Sequence, residues 1–252
     1  MKKAVLALCI SLFALLITGP ACNKEKGESA VMVFTASGDI TAKLTAFRDQ
    51  LGTLNTTTGH TAGRREINWD GVPDNMTGLK LPADFFNPTA AGSPEGRQRG
   101  LVYAGSADAM VSKTGFSEVN SLAVSEFSSF SGNKIFAVVN ASSWPVEFRV
   151  AGQTTAASVK GFGAVFSDVD NPYSTFIEFF NGEKTLGKYY VPAHDVTGSF
   201  SFLGVYFPND IITRVVVTHE GMLQQGEKDI SQGGSKDLVA LDDFIYSEPV
   251  KL

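Results

Sequence analysis

The chain has 252 residues, of which 43% are hydrophobic and 19% charged, with a formal net charge of -5. That apolar share supports a packed core and excludes wholesale disorder, and the acidic balance gives no electrostatic basis for binding nucleic acid. The length suits one large domain or two small ones.

Lys2 and Lys3 precede an apolar run from Ala4 to Thr18 that closes on Gly19-Pro20. The run is short for a helical span, which needs about 20 residues. A basic start, a short apolar stretch and a small-residue exit describe a secretory signal over residues 1–21. No later segment reaches about 18 consecutive apolar residues, so no further membrane helix is expected. Cys9 lies inside the signal, whereas Cys22 follows Gly19-Pro20-Ala21. A lone cysteine at a signal exit resembles a bacterial lipobox, in which the thiol receives a diacylglycerol. The motif departs from the usual form by placing Gly19 where leucine is common. A membrane contact through a lipid on Cys22 is therefore expected, with plain secretion as the alternative. With no other cysteine after Cys22, disulfides and cysteine-based zinc sites are excluded from the exported domain. Residues 22–34 read as a lipid-linked tether running into a candidate first strand (VMVFT, 31–35), and residues 35–252 as a single domain.

Ile40, Leu44, Phe47 and Leu51 share one helical face, with Ser37 or Asp39 to cap its start and Gly52 to end it. This helix is expected to cover one end of a sheet. Residues 53–99 are rich in Gly, Pro, Thr, Asn and Asp and read as long loops that wrap the core or carry function. From residue 100 the pattern turns β-like. Val146, Phe148 and Val150 alternate with Glu147 and Arg149, and Val159–Val169 is an apolar strand with two glycines. STFIEFF (174–180) and KTLGKYYV (184–191) flank Asn181-Gly182, a hairpin signal in which both turn positions take positive φ. SFSFLGVYF (199–207), IITRVVVT (211–218) and LVALDDFIY (238–246) supply three more strands. The fold class expected is all-β, an antiparallel β-sandwich of jelly-roll type, with one short N-terminal helix and a long loop-rich segment.

The strings GRREINWDGVPD, LPADFFN, GFGAVFSDVDNPYSTFIEFFNG, FSFLGVYF and LVALDDFIYSEP follow one another over roughly residues 40–249. In that order they resemble a widespread group of exported, uncharacterised bacterial proteins. The resemblance implies a jelly-roll domain similar to carbohydrate-binding modules and brings no activity with it. The later half also looks like domains that carry a C-terminal sorting tail. This chain ends instead on Pro249-Val250-Lys251-Leu252, which leaves anchoring to a lipid at Cys22.

Nucleophilic hydrolysis has little support, because no Gly-x-Ser-x-Gly elbow is present and no cysteine remains to pair with a histidine. His60, His194 and His219 are scattered, without a His-Glu-x-x-His motif, and read as exposed loop residues. A glycosidase needs two carboxylates across a cleft, which spacing alone does not reveal. Calcium is the better-supported cofactor. Asp168-Val169-Asp170-Asn171 ends a strand with oxygen ligands at alternate positions, as hard cations prefer. Asp242 and Asp243 lie within the last strand, so one points inward and needs a metal, backbone N–H groups or an arginine, Arg64 or Arg65 being candidates. Trp69 and Trp144 are candidates to stack on a sugar, and Asn68 and Asp70 beside Trp69 are candidates to hydrogen-bond it, with Tyr173 a further loop aromatic. The competing reading makes Trp69 a buried plug of its loop. The functional expectation is an envelope-anchored, non-catalytic sandwich that binds glycan or other surface material. The alternatives are a structural or assembly lipoprotein that contacts another envelope protein, and, less favoured, a secreted hydrolase.

Overall fold

A computed structural model describes residues 30–105 and 108–252. In chain order the elements are β1 (Met32–Ser37), α1 (Thr41–Leu51), β2 (Arg64–Ile67), β3 (Leu101–Tyr103), β4 (Asp108–Ser112), β5 (Ile135–Val139), β6 (Ser143–Phe148) and β7 (Ala157–Ser158). They continue with β8 (Gly161–Ser167), β9 (Phe176–Asn181), β10 (Lys184–Tyr190), β11 (Phe200–Tyr206), β12 (Arg214–Thr218), β13 (Ala240–Ser247) and β14 (Val250–Lys251). The signal and Cys22 lie outside the described residues.

The strands form the antiparallel sandwich the alternation predicts. The first sheet runs β1-β11-β8-β13-β5-β4, with β2 also on β13, and the second runs β10-β9-β12-β6-β3. In β6, Trp144, Val146 and Phe148 turn inward while Ser143, Pro145 and Glu147 face out. Val215 and Val217 of β12 and Ile177 and Phe179 of β9 join them against Phe136, Phe162, Phe166, Leu203 and Phe244 of the first sheet. Each such side chain removed from water contributes roughly 1.5–3 kcal/mol.

β8 is buried along its whole length because both of its faces are covered. Phe162, Ala164 and Phe166 meet the second sheet, while Val165 packs with Leu44, Phe47 and Leu51 of α1. The helix forms where its apolar spacing places it. Asp39 Oδ1 accepts the Thr41 N–H at 3.0 Å, and Gly52, at φ +92°, donates its N–H to the Arg48 carbonyl. It lies across the outer face of the first sheet rather than over one end. Gly163 and Gly204, opposite one another on β8 and β11, make the room: a Cβ on Gly163 would come within 2.9 Å of the Phe47 ring. Phe116, Ala123, Phe127, Leu223 and Leu238 cover the other part of that outer face, over Ile135, Ala137, Val139 and Ala240.

Residues 53–99 wrap the core. β2 pairs with β13, and Trp69, Val72, Leu81, Phe85 and Phe86 enter the sandwich. The β9–β10 hairpin forms, but its turn differs from the expected one. Asn181 pairs with Lys184 as the last residue of the ladder, so the turn is Gly182-Glu183, with positive φ (+57°) at Gly182. One glycine at the first turn position is enough to reverse the chain.

Candidate functional site

The residues singled out in the sequence separate into four places. Trp69 is fully buried, stacked on Phe136 with ring centroids 4.2 Å apart, and its Nε1–H donates to the Asp242 carbonyl at 2.8 Å. Trp144 is 1% exposed and points into the sandwich from β6. Neither indole has a face for a ligand, so the sugar-platform expectation for this pair is corrected: both rings serve the core. Asn68 is exposed beside Trp69, and Asp70 accepts the Asn133 N–H at 3.0 Å, tying its loop to residues 132–134.

Asp242 and Asp243 sit where β13 shifts register between Leu241 and Phe244. The bulge turns both acids away from the sandwich interior. Asp242 Oδ2 accepts the N–H groups of Phe130 and Ser131, while Asp243 accepts from Arg48 Nη2 at 3.1 Å and from the Ser131 hydroxyl. These are the backbone and arginine partners that the metal expectation weighed against a cation, and the arginine is Arg48. Arg64 instead pairs with Glu66, and Arg65 with Glu248 in a fully buried bridge. Burial raises the pKa of both Asp242 and Asp243, with their mutual proximity adding to that of Asp242. His219 is buried, not exposed: its Nδ1 lies 2.6 Å from the Gly221 carbonyl, and burial lowers its pKa.

Asp168 and Asp170 belong to a different constellation. Asp168 leaves β8 at φ +69°, and its Oδ1 accepts the Gly198 N–H at 2.9 Å. Carboxylate oxygens of Glu126, Asp168 and Asp229 lie within 4.8 Å of one another, and so do those of Asp170, Asp229 and Asp237, so Asp229 is common to both sets. Asp229 receives the N–H groups of Ser231 and Leu238, and Asp237 Oδ2 receives those of Asp170 and Asn171. Among the described residues, none of these five acids forms an ion pair. Burial pushes Asp168 up to about 8 and Asp237 up to about 6, and it raises Asp170, with neighbouring carboxylates adding to each. A cavity of about 310 Å³ lined by Asp170, Asn171, Pro172, Asp195, Ile230 and Ser231 adjoins them. Glu126, Asp229 and Asp237 escape sequence reading because nothing local marks them: the loop at Glu126 and the loop from Asp229 to Asp237 meet only in the folded chain.

The outer face of the second sheet is open to solvent. Phe176, Glu178 and Phe180 of β9 alternate outward, beside Lys188 and Tyr190 of β10 and Arg214, Val216 and Thr218 of β12. Tyr173, in the turn before β9, is 76% exposed; its ring meets that of Tyr190 (45% exposed) at 5.8 Å, nearly perpendicular. Tyr190 meets Phe176 at 5.5 Å, Lys188 Nζ stands 3.9 Å over Phe176, and Arg214 lies 4.1 Å over Phe180. Tyr173 is visible in the sequence as a loop aromatic. Phe176, Phe180 and Tyr190 are not, because a strand aromatic reads the same whichever face it takes.

No protein-family model matches the sequence, and no curated protein does. Among solved structures, a mutant of a family 29 carbohydrate-binding module gives a TM-score of 0.30 at 11% identity, covering 65% of this chain and 89% of that one. A second mutant of such a module, complexed with cellulohexaose, gives a TM-score of 0.30 at 10% identity with the same coverage. Similarity at this level leaves the function to be argued from the chain's own surface.

Proposed function

We propose that the chain is an exported, lipid-anchored, non-catalytic β-sandwich that binds glycan on the open face of its second sheet. The observation that carries this reading is the contiguous set of rings formed by Tyr173, Tyr190 and Phe176 at the rim of that face. A soluble protein gains nothing in folding from leaving Tyr173 three-quarters exposed, and grouped exposed apolar surface is typical of a binding site. A pyranose ring has an apolar C–H face that packs on such rings, while its hydroxyls take up charged and polar neighbours. Glu178, Lys188, Arg214 and Thr218 are polar groups within the same face. The expected export and the lipid on Cys22 would hold this surface at the envelope, where glycans are abundant.

The test is affinity electrophoresis against a panel of soluble polysaccharides, with reducing-sugar release assayed in parallel. At least one polysaccharide is expected to retard the protein without being cleaved. Tyr173→Ala and Tyr190→Ala each weaken that retention about tenfold, equivalent to about 1.4 kcal/mol, and leave the melting temperature unchanged. Retention that survives both substitutions, or no retention by any glycan, overturns the reading and favours contact with an envelope protein. Sugar release would favour a hydrolase.

A further inference from the structure

The acidic constellation adjoins the turn that carries Tyr173, and its partners do not account for it. Asp168 and Asp237 are fully buried, yet Asp168 Oδ2 and Asp237 Oδ1 have no hydrogen-bond partner, and neither does Asp170 Oδ1. A buried carboxylate oxygen without a donor is costly, and several within one cluster are more so, because like charges at this spacing repel strongly where water is excluded. The donors present, such as the Gly198, Ser231, Leu238, Asp170 and Asn171 amides, hold the other oxygens in place. They orient the carboxylates but bring no formal positive charge.

We propose that Glu126, Asp168, Asp170, Asp229 and Asp237 form a calcium site, with Asp229 shared between its two carboxylate triads. The ligand atoms are all oxygens, with no sulfur or imidazole in either triad. Ca²⁺ takes six to eight such ligands in adaptable geometry, whereas Zn²⁺ favours nitrogen and sulfur and Mg²⁺ demands a tight octahedron. The neighbouring cavity leaves room for water to complete the coordination. The ion would fasten together three segments: the loop at Glu126, the exit of β8, and the loop from Asp229 to Asp237. Serine hydroxyls already bridge parts of this assembly, since Ser231 Oγ donates to Glu126 and Ser174 Oγ to Asp237. The inference does not depend on glycan binding.

The probe is calcium chloride added to the full chain after chelator treatment, read by thermal melting and by calorimetric titration. At about 100 times its Kd, calcium is expected to raise the melting temperature by roughly 5–10 °C, and magnesium by much less. In the double variant Asp168→Asn, Asp237→Asn, each amide keeps an acceptor oxygen but loses the charge. This variant is expected to melt no lower than the calcium-free wild type and to show no calcium response. Should it fail to fold, the wild-type titration decides by itself, a saturable heat supporting the site. A wild type whose melting and titration are both indifferent to millimolar calcium, or a folded double variant that keeps the full calcium shift, overturns the proposal.

Discussion

Trp69 adopts φ +66°, a left-handed conformation that a bulky residue takes only when its surroundings hold it there. The surroundings are aromatic: Phe136 lies parallel beneath the indole, while Phe86 and Phe244 meet it edge-on at 5.6 and 4.9 Å. The Nε1–H bond to the Asp242 carbonyl then ties the loop to the bulge of β13. Trp69→Ala should therefore cost roughly 3–5 kcal/mol of stability, measured as a lower urea midpoint. A much smaller loss would mean that the loop does not depend on the ring. Tyr173 is the opposite case, an exposed loop aromatic whose removal should leave stability intact. Local sequence does not separate the two, since both are aromatic residues among turn formers; only burial does.

At the scale of elements, the turn after β8 concentrates the electrostatic strain of the fold. The pKa of Asp168 is raised to about 8 and that of Asp237 to about 6, with burial the leading cause; Glu126, Asp170, Asp195 and Asp229 are the surrounding acids. A carboxyl whose pKa is raised by folding binds its proton more tightly in the native state than in the unfolded one. Its contribution is fully present below about pH 4 and is lost as pH rises through about 6 and then 8. Asp242 and Asp243 act in the same direction, whereas Asp74 and Asp210, lowered to about 2 by lysine partners, matter only in more acid solution. In chelator, the melting temperature should fall as pH is raised from 5 to 8.5. The Asp168→Asn, Asp237→Asn variant should show a shallower fall, leaving the share due to Asp170, Asp242 and Asp243. A flat wild-type profile would contradict this assignment. The aspartates at 168 and 170 were recognisable from their position after an apolar strand, but their partners were not. Asp242 and Asp243 are equal candidates by sequence, and it is the bulge in β13 that gives them amide and arginine partners.

For the molecule as a whole, the asymmetry between the two sheets matters most. The helix and the loops around Phe116 and Leu223 cover the outer face of the first sheet, and the second sheet is left open. That open face is where we place ligand binding, and the proposed lipid would fix where the face is displayed. Cys22→Ser should move the protein from the membrane fraction to the soluble one; a wild type that is already soluble would remove the anchor. The sandwich, the helix and its ends, and the β9–β10 hairpin are legible in the order of residues, because apolar period, capping chemistry and turn glycines act over a few residues. Tertiary structure alone decided that Trp69 and Trp144 are core, that Tyr190 and Phe176 are surface, and that Asp229 and Asp237 join Asp168. Those outcomes depend on which faces are covered and which loops meet, and such contacts are made between residues far apart in the chain.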